Sequence, residues 1–211
     1  MEVLLTKALV FGGAFNPPTI AHIQLAKFAK DQTDSDVVIF VPSKMTYIRN
    51  EQNKDFAFKD NVRFDMLKNI SASNPWMIVS NHEILLKDQP RTYSTLCYLK
   101  QCGYDCKLLF GSDKLTELET GWKHIEELCK EFGIVCMERN YDNCESLIDN
   151  DLYLSSIKQY IQIIQTPDTF QMISSSKVRE LFEKKNFEQI DSLVPKELNG
   201  LRGYDRKEDT L

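Results

Sequence analysis

Two short segments of this chain carry the groups best suited to chemistry, one near each end. The first is Gly12-Gly13-Ala14-Phe15-Asn16-Pro17-Pro18-Thr19-Ile20-Ala21-His22, which follows the apolar run Ala8-Leu9-Val10-Phe11. A strand, a glycine turn and a helix start leave backbone N–H groups unpaired where the helix dipole favours an anion, and glycine lets the backbone approach a phosphate. Thr19 and His22 are three residues apart, so on a helix they share one face and point at whatever the turn holds. The chemistry this suits is that of phosphate groups.

The second segment is Ile173-Ser174-Ser175-Ser176-Lys177-Val178-Arg179. Serines before a periodic stretch act as a helix cap, or their hydroxyls and the free N–H groups form an anion site. Arg179 falls one turn further on, where a guanidinium can meet a phosphate through two parallel bonds. Between the segments, Phe110-Gly111-Ser112-Asp113 ends an apolar run in a carboxylate, which reads either as a ligand-facing group at a strand end or as a helix cap. Trp122 offers either a flat stacking surface or a core side chain.

The elements that must position these residues follow from hydrophobic period. Short apolar runs predict strands at Ala8–Phe11, Val37–Val41, Trp76–Val79, Lys107–Phe110, Ile134–Met137 and Tyr160–Ile164. Amphipathic stretches predict helices over Thr19–Lys30, Lys59–Ile70, Thr92–Gln101 and Trp122–Phe132, the last closed by Gly133. Strands alternating with helices imply right-handed crossovers and a parallel sheet covered on both faces. The fold class expected is α/β, a Rossmann-like doubly wound parallel sheet of five to six strands. Two short C-terminal helices close it, with stripes at Val178, Leu181, Phe182 and at Phe187, Ile190, Leu193. Pro42–Phe58 and Tyr141–Lys158 read as long loops; the first follows a strand on the ligand-binding edge of such sheets and is the better functional candidate.

With 211 residues the chain is long enough for one well-packed domain, expected over 1–201, followed by a polar tail over 202–211. A net charge of -5 argues against a broad nucleic-acid footprint and leaves room for a small anion in one basic pocket. The N-terminus lacks the basic and apolar regions of a signal peptide, and no run approaches the roughly 20 apolar residues of a membrane helix. A cytoplasmic protein is expected, with no nucleic-acid or membrane partner; association into a homo-oligomer stays open. Six cysteines scattered through helix-like and strand-like segments read as reduced thiols. Neither they nor the three dispersed histidines have the spacing of a structural zinc site.

Taken together, the two segments resemble those of the nicotinate-nucleotide adenylyltransferase family, whose motifs read G-G-x-F-[DN]-P-x-[HT]-x-G-H and I-S-S-[ST]-x-[IV]-R. Phe110-Gly111-Ser112-Asp113, Leu118 and Gly121-Trp122-Lys123 resemble the family's G-x-D…L…W segment, and the likeness runs from about Lys7 to Tyr204. The resemblance implies adenylyl transfer from ATP to the 5′-phosphate of nicotinate mononucleotide, with Mg²⁺ arriving on ATP. It implies His22, Thr19 and Arg179 as catalytic residues. Gly12, Gly13, Phe15, Gly111, Asp113, Ser174, Ser175 and Ser176 would meet ATP, and either Lys44 or Arg49 the triphosphate. Asn16, Thr92 and Trp122 would serve the mononucleotide, and Arg139 matches a family arginine that also suits a salt bridge.

The sequence departs from the family pattern at Thr19 for histidine, Ala21 for glycine, Arg91 for tyrosine and Ser94 for an acidic residue. Two other readings therefore accompany the first. One is a sister nucleotidylyltransferase acting on nicotinamide mononucleotide or another phosphorylated acceptor. The other is a nucleotide-binding regulator that kept the fold and lost catalysis.

Overall fold

Each apolar run is a strand, because apolar, largely β-branched or aromatic segments gain most when both faces of a pleated ribbon are covered. The structure, a computed structural model, describes residues 5–50, 58–139, 142–170 and 172–204. In chain order come β1 (Thr6–Gly13), α1 (Ile20–Gln32), β2 (Val37–Pro42), α2 (Met45–Asn50), α3 (Asp60–Ala72), β3 (Met77–Val79), α4 (His82–Leu85) and α5 (Thr92–Gln101). There follow β4 (Tyr104–Gly111), α6 (Leu118–Gly121), α7 (Ile125–Glu131), β5 (Ile134–Glu138), α8 (Cys144–Asn150), α9 (Leu152–Ile157), β6 (Ile161–Gln165), α10 (Ser175–Glu183) and α11 (Phe187–Asp191).

Among the described residues the strands form one six-stranded sheet in the order β3-β2-β1-β4-β5-β6. β1 pairs with β4, β4 with β5 and β5 with β6, all parallel. This is the doubly wound order expected from the alternation of strands and helices, and it reverses between β1 and β4, the position where open α/β sheets take ligands beyond the strands' carboxyl ends. β4 begins three residues before its apolar run because the ladder from Thr6↔Tyr104 onward extends pairing over polar residues.

Three expectations need correction. Tyr141–Lys158 is not a loop: its described part holds α8 and α9, each started by a side-chain cap in which Asn143 accepts from the Ser146 N–H and Asp151 from the Leu154 N–H. The helices are too short for a periodic signal, yet each buries two residues, Cys144 with Ile148 and Leu154 with Ile157. Pro42–Phe58 likewise contains α2, while 51–57 lie outside the described residues. The helix expected from Trp122 starts only at Ile125, because His124 is left-handed at φ 60° and breaks the run. Of the polar tail, 205–211 also fall outside the described residues.

By contacts the chain divides into two compact units. The first comprises Met1–Gly12, Leu25–Ile39 and Pro90–Asp168. Its core gathers Leu9, Val10, Leu108, Leu109, Val135 and Cys136 from the strands, with Leu96 and Leu128 from α5 and α7. The second comprises Gly13–Gln24, Phe40–Gln89 and Thr169–Leu211. Its core holds Phe15, Phe40, Ile48, Phe58, Met66, Leu67 and Ile70, joined by Val178 and Ile190 from the C-terminal helices. No helix among the described residues is long and apolar enough to cross a membrane. All six cysteines are free thiols.

Candidate active site

From Gly13 onward the first chemistry-bearing segment falls in the second unit, as does the whole of the second segment, and the fold brings them together. Ser175 Oγ donates to the Pro17 carbonyl oxygen at 2.8 Å, and Arg179 Nη1 donates to the Asn16 carbonyl oxygen at 2.8 Å. Arg179 Nη2 also reaches Ser176 Oγ at 3.0 Å. Ser174 is the N-cap of α10, its Oγ accepting from the Lys177 N–H. The cap and anion-site readings of the serines are compatible, because the cap uses Ser174 and leaves the roles of Ser175 and Ser176 to their own hydroxyls.

Within the first segment, Thr19 is fully buried immediately before α1. Its backbone N–H donates to His22 Nδ1 at 3.0 Å, and its Oγ1 lies 2.7 Å from the same nitrogen. An amide N–H can only donate, so Nδ1 is the acceptor and the neutral ring carries its proton on Nε2. The Phe15 ring meets the His22 ring edge-on, with centroids 5.3 Å apart. The imidazole is thus fixed in tautomer and seated against a buried aromatic wall.

The turn itself is held from behind. Gly13 O accepts from the Ser43 N–H at 2.9 Å, and a Cβ on Gly13 would stand 3.2 Å from the Phe15 ring, which is why glycine suits the position. Asn16 is fully buried, and its Oδ1 accepts from the Phe58 N–H at 3.0 Å. Its carbonyl oxygen meets Arg179 and its Oδ1 anchors the Phe58 backbone, so Asn16 supports the turn.

The two cations weighed for the triphosphate have different settings. Lys44 Nζ donates to the Ile84 carbonyl at 3.0 Å and to the Leu86 carbonyl, so it caps the C-terminal end of α4. Arg49 stands exposed on α2.

The sequence reading passed over Arg63, which is completely buried. Its guanidinium donates to Phe58 O at 3.1 Å, Ala14 O at 2.7 Å and Ser43 O, and pairs with Asp60 Oδ1 at 2.6 Å. Burial pulls its pKa down while the Asp60 carboxylate pulls it back up. A signal was present: Arg63, Met66, Leu67 and Ile70 make one buried stripe on α3, and a charge on an apolar stripe needs partners.

In the first unit, Gly111 ends β4 where a Cβ would stand 2.7 Å from Asp113 Oδ1 and 3.3 Å from Arg139 Nε. That Nε is buried without a hydrogen-bond partner among the described residues. Asp113 itself is exposed in the turn Ser112–Glu117, and Ser112 Oγ ties the strand ends by accepting from the Arg139 N–H and donating to Asp142. Trp122 is half-buried and tilts against Phe110 with ring centroids 5.9 Å apart. Thr92 is the first residue of α5 and half-buried, and Gly12, at the end of β1, has open space where a Cβ would stand. Among the described residues no group of three or more His, Cys, Asp or Glu could hold a metal ion.

Comparison with known proteins bears on this arrangement. A cytidylyltransferase-like family model matches residues 10–181. A probable nicotinate-nucleotide adenylyltransferase of Caldicellulosiruptor saccharolyticus is 30% identical over 84% of this chain and 87% of its own. Another of that name from Carboxydothermus hydrogenoformans is 32% identical over 83% of this chain and 86% of its own. Among solved structures, Plasmodium falciparum nicotinic acid mononucleotide adenylyltransferase complexed with NaAD superposes with a TM-score of 0.72 at 19% identity, covering 97% of this chain and 98% of that one, which is a likeness of fold.

Proposed function

The chain belongs to the cytidylyltransferase-like family and, within it, to the nicotinate-nucleotide adenylyltransferases, and from that membership we propose the reaction it performs. It transfers the adenylyl group of ATP to the 5′-phosphate of nicotinate mononucleotide. A phosphate oxygen of the mononucleotide forms the new bond to the α-phosphorus in line as the bond to the β-phosphate oxygen breaks, giving the deamido dinucleotide and pyrophosphate. The observation that carries this reading is the closure of the second segment on the first through Ser175 and Arg179.

The nucleophile is already an anion, so no general base is required. The protein's work is to hold two negative partners together and to stabilise charge spreading over the phosphoryl oxygens. His22 donates a hydrogen bond from its Nε2–H to the α-phosphate, and Thr19 keeps that proton on Nε2. The Gly12–Phe15 turn and the Ser174–Ser176 helix start hold the phosphates, with Arg179 fixing the second against the first. Arg49 meets the triphosphate while Lys44 braces the loop behind it. Gly111 and Asp113 serve the adenosine side, and Thr92 and Trp122 the mononucleotide. Mg²⁺ enters as part of the ATP substrate, bound by phosphate oxygens and water in keeping with its preference for few protein ligands.

The test is pyrophosphate release by the purified chain with MgATP and nicotinate mononucleotide, the dinucleotide being identified by chromatography. Nicotinamide mononucleotide and phosphopantetheine run in parallel separate this reading from a sister transferase. ATP binding without pyrophosphate release on any acceptor would overturn it in favour of a regulator.

A further inference from the structure

The carbonyl oxygens of the first segment's turn are occupied almost without a gap. Gly13 O takes the Ser43 N–H, Ala14 O takes Arg63 Nη1, Asn16 O takes Arg179 Nη1 and Pro17 O takes Ser175 Oγ. In a trans peptide the C=O of one residue and the N–H of the next point in opposite directions. Fixing Gly13 O and Ala14 O toward the protein therefore aims the Ala14 and Phe15 N–H groups the other way. Pro17 and Pro18 have no N–H to offer, which leaves these two peptide planes among the few in the turn that can turn an N–H toward an anion.

One side chain governs the second plane. Arg63 reaches Ala14 O while its other nitrogens hold Ser43 O and Phe58 O, and Ser43 in turn holds Gly13 O. Asp60 Oδ1 pairs with the guanidinium at 2.6 Å and accepts from the Met45 N–H at 2.6 Å, which adds the start of α2 to the same knot. Three stretches far apart in sequence, 13–16, 43–45 and 58–63, meet on a planar fork. Lysine's point charge cannot span those acceptors.

We infer that Arg63 is a positioning residue for phosphate binding: it orients the Ala14–Phe15 peptide so that the turn presents its N–H groups to an oxyanion of the substrate. Arg63 is completely buried and acts through the backbone. The inference rests on the phosphate-binding role given to the turn under the proposed function.

The experiment is a titration of the full chain with inorganic pyrophosphate, followed by ¹H–¹⁵N amide spectra, for the natural protein, Arg63→Lys and Asp60→Asn. In the natural protein the Ala14 and Phe15 amides shift and saturate. In Arg63→Lys the spectrum stays dispersed, those two amides lose their response, and pyrophosphate binds at least about tenfold more weakly. Asp60→Asn keeps an acceptor but loses the charge, and weakens binding by about two- to fivefold. It supplies the reading if the lysine variant does not fold. A wild-type response of Ala14 and Phe15 in the variants, or no response of these amides in the natural protein, overturns the inference. Pyrophosphate release by the natural protein, measured separately, decides the reaction itself, so the two failures are distinguishable.

Discussion

The Thr19 backbone N–H stands 3.0 Å from His22 Nδ1, and the Thr19 hydroxyl stands 2.7 Å from the same nitrogen. The residue that replaces a more usual histidine is therefore bound to the neighbouring histidine, and the pair works as a unit. His22→Ala removes a donor aimed at charge that develops in the transition state and is expected to lower kcat at least about a hundredfold, with the fold intact by circular dichroism. Thr19→Ala keeps the backbone donor and loses only the hydroxyl, so kcat falls by about tenfold and the KM values barely move. Steady-state pyrophosphate release measures both; equal losses in the two variants would contradict the assignment of the tautomer to the backbone N–H.

Arg179 joins the two motifs through acceptors on different segments. Arg179→Lys keeps the charge and loses the fork, so kcat/KM is expected to drop at least about tenfold. The lost charged hydrogen bond to Asn16 O, worth about 1.5–3 kcal/mol, also lowers the unfolding midpoint in urea. A lysine variant with wild-type kcat/KM would show that the closure of one motif on the other does not serve catalysis.

Lys44 and Arg49 should separate cleanly. Lys44→Met leaves the carbonyls of Ile84 and Leu86 without their partner and is expected to destabilise the protein by about 1–2 kcal/mol. Arg49→Ala removes an exposed side chain, so stability changes by less than about 0.5 kcal/mol while the KM for ATP rises. Thermal melts set beside ATP saturation curves check the pair. The reverse pattern would reassign the triphosphate to Lys44.

The thiols set an alkaline limit. Burial pushes Cys106 up to about 12 and Cys129 and Cys144 up to about 11, and it raises Cys136 as well. The native state therefore keeps these protons after the unfolded chain has begun to release them. Stability is full below the ordinary thiol value and declines as pH rises from about 9 toward the folded values. Urea midpoints at pH 8 and pH 10 should show the fall. At pH 8 a disulfide reagent should label exposed Cys102 and half-buried Cys97 and spare the four buried thiols until the chain unfolds.

The elements were legible wherever a long periodic pattern existed. Thr92–Gln101 reads directly as α5, and Gly133, at φ 73°, closes the helix before β5 by accepting the left-handed turn expected of it. The short helices α8 and α9 were not legible, because seven and six residues give too few turns for a period and their starts depend on single capping side chains. Arg63 stands on the apolar stripe of α3, which marks it as a charge in need of partners, but only the fold shows which three carbonyls surround it.

By itself the sequence determined the order of the strands and of the longer helices, the two phosphate-suited segments and the identity of their donors, because period, glycine turns and serine caps are local properties of the chain. Only the tertiary structure decided what each donor does. Arg179 and Ser175 turn out to grip the first motif's carbonyls, Asn16 anchors Phe58, Lys44 caps α4, and Thr19 holds His22. Apart from Thr19 and His22, these partners lie tens of residues or more apart, and a hydrogen bond depends on distance and angle in space, which spacing along the chain does not encode.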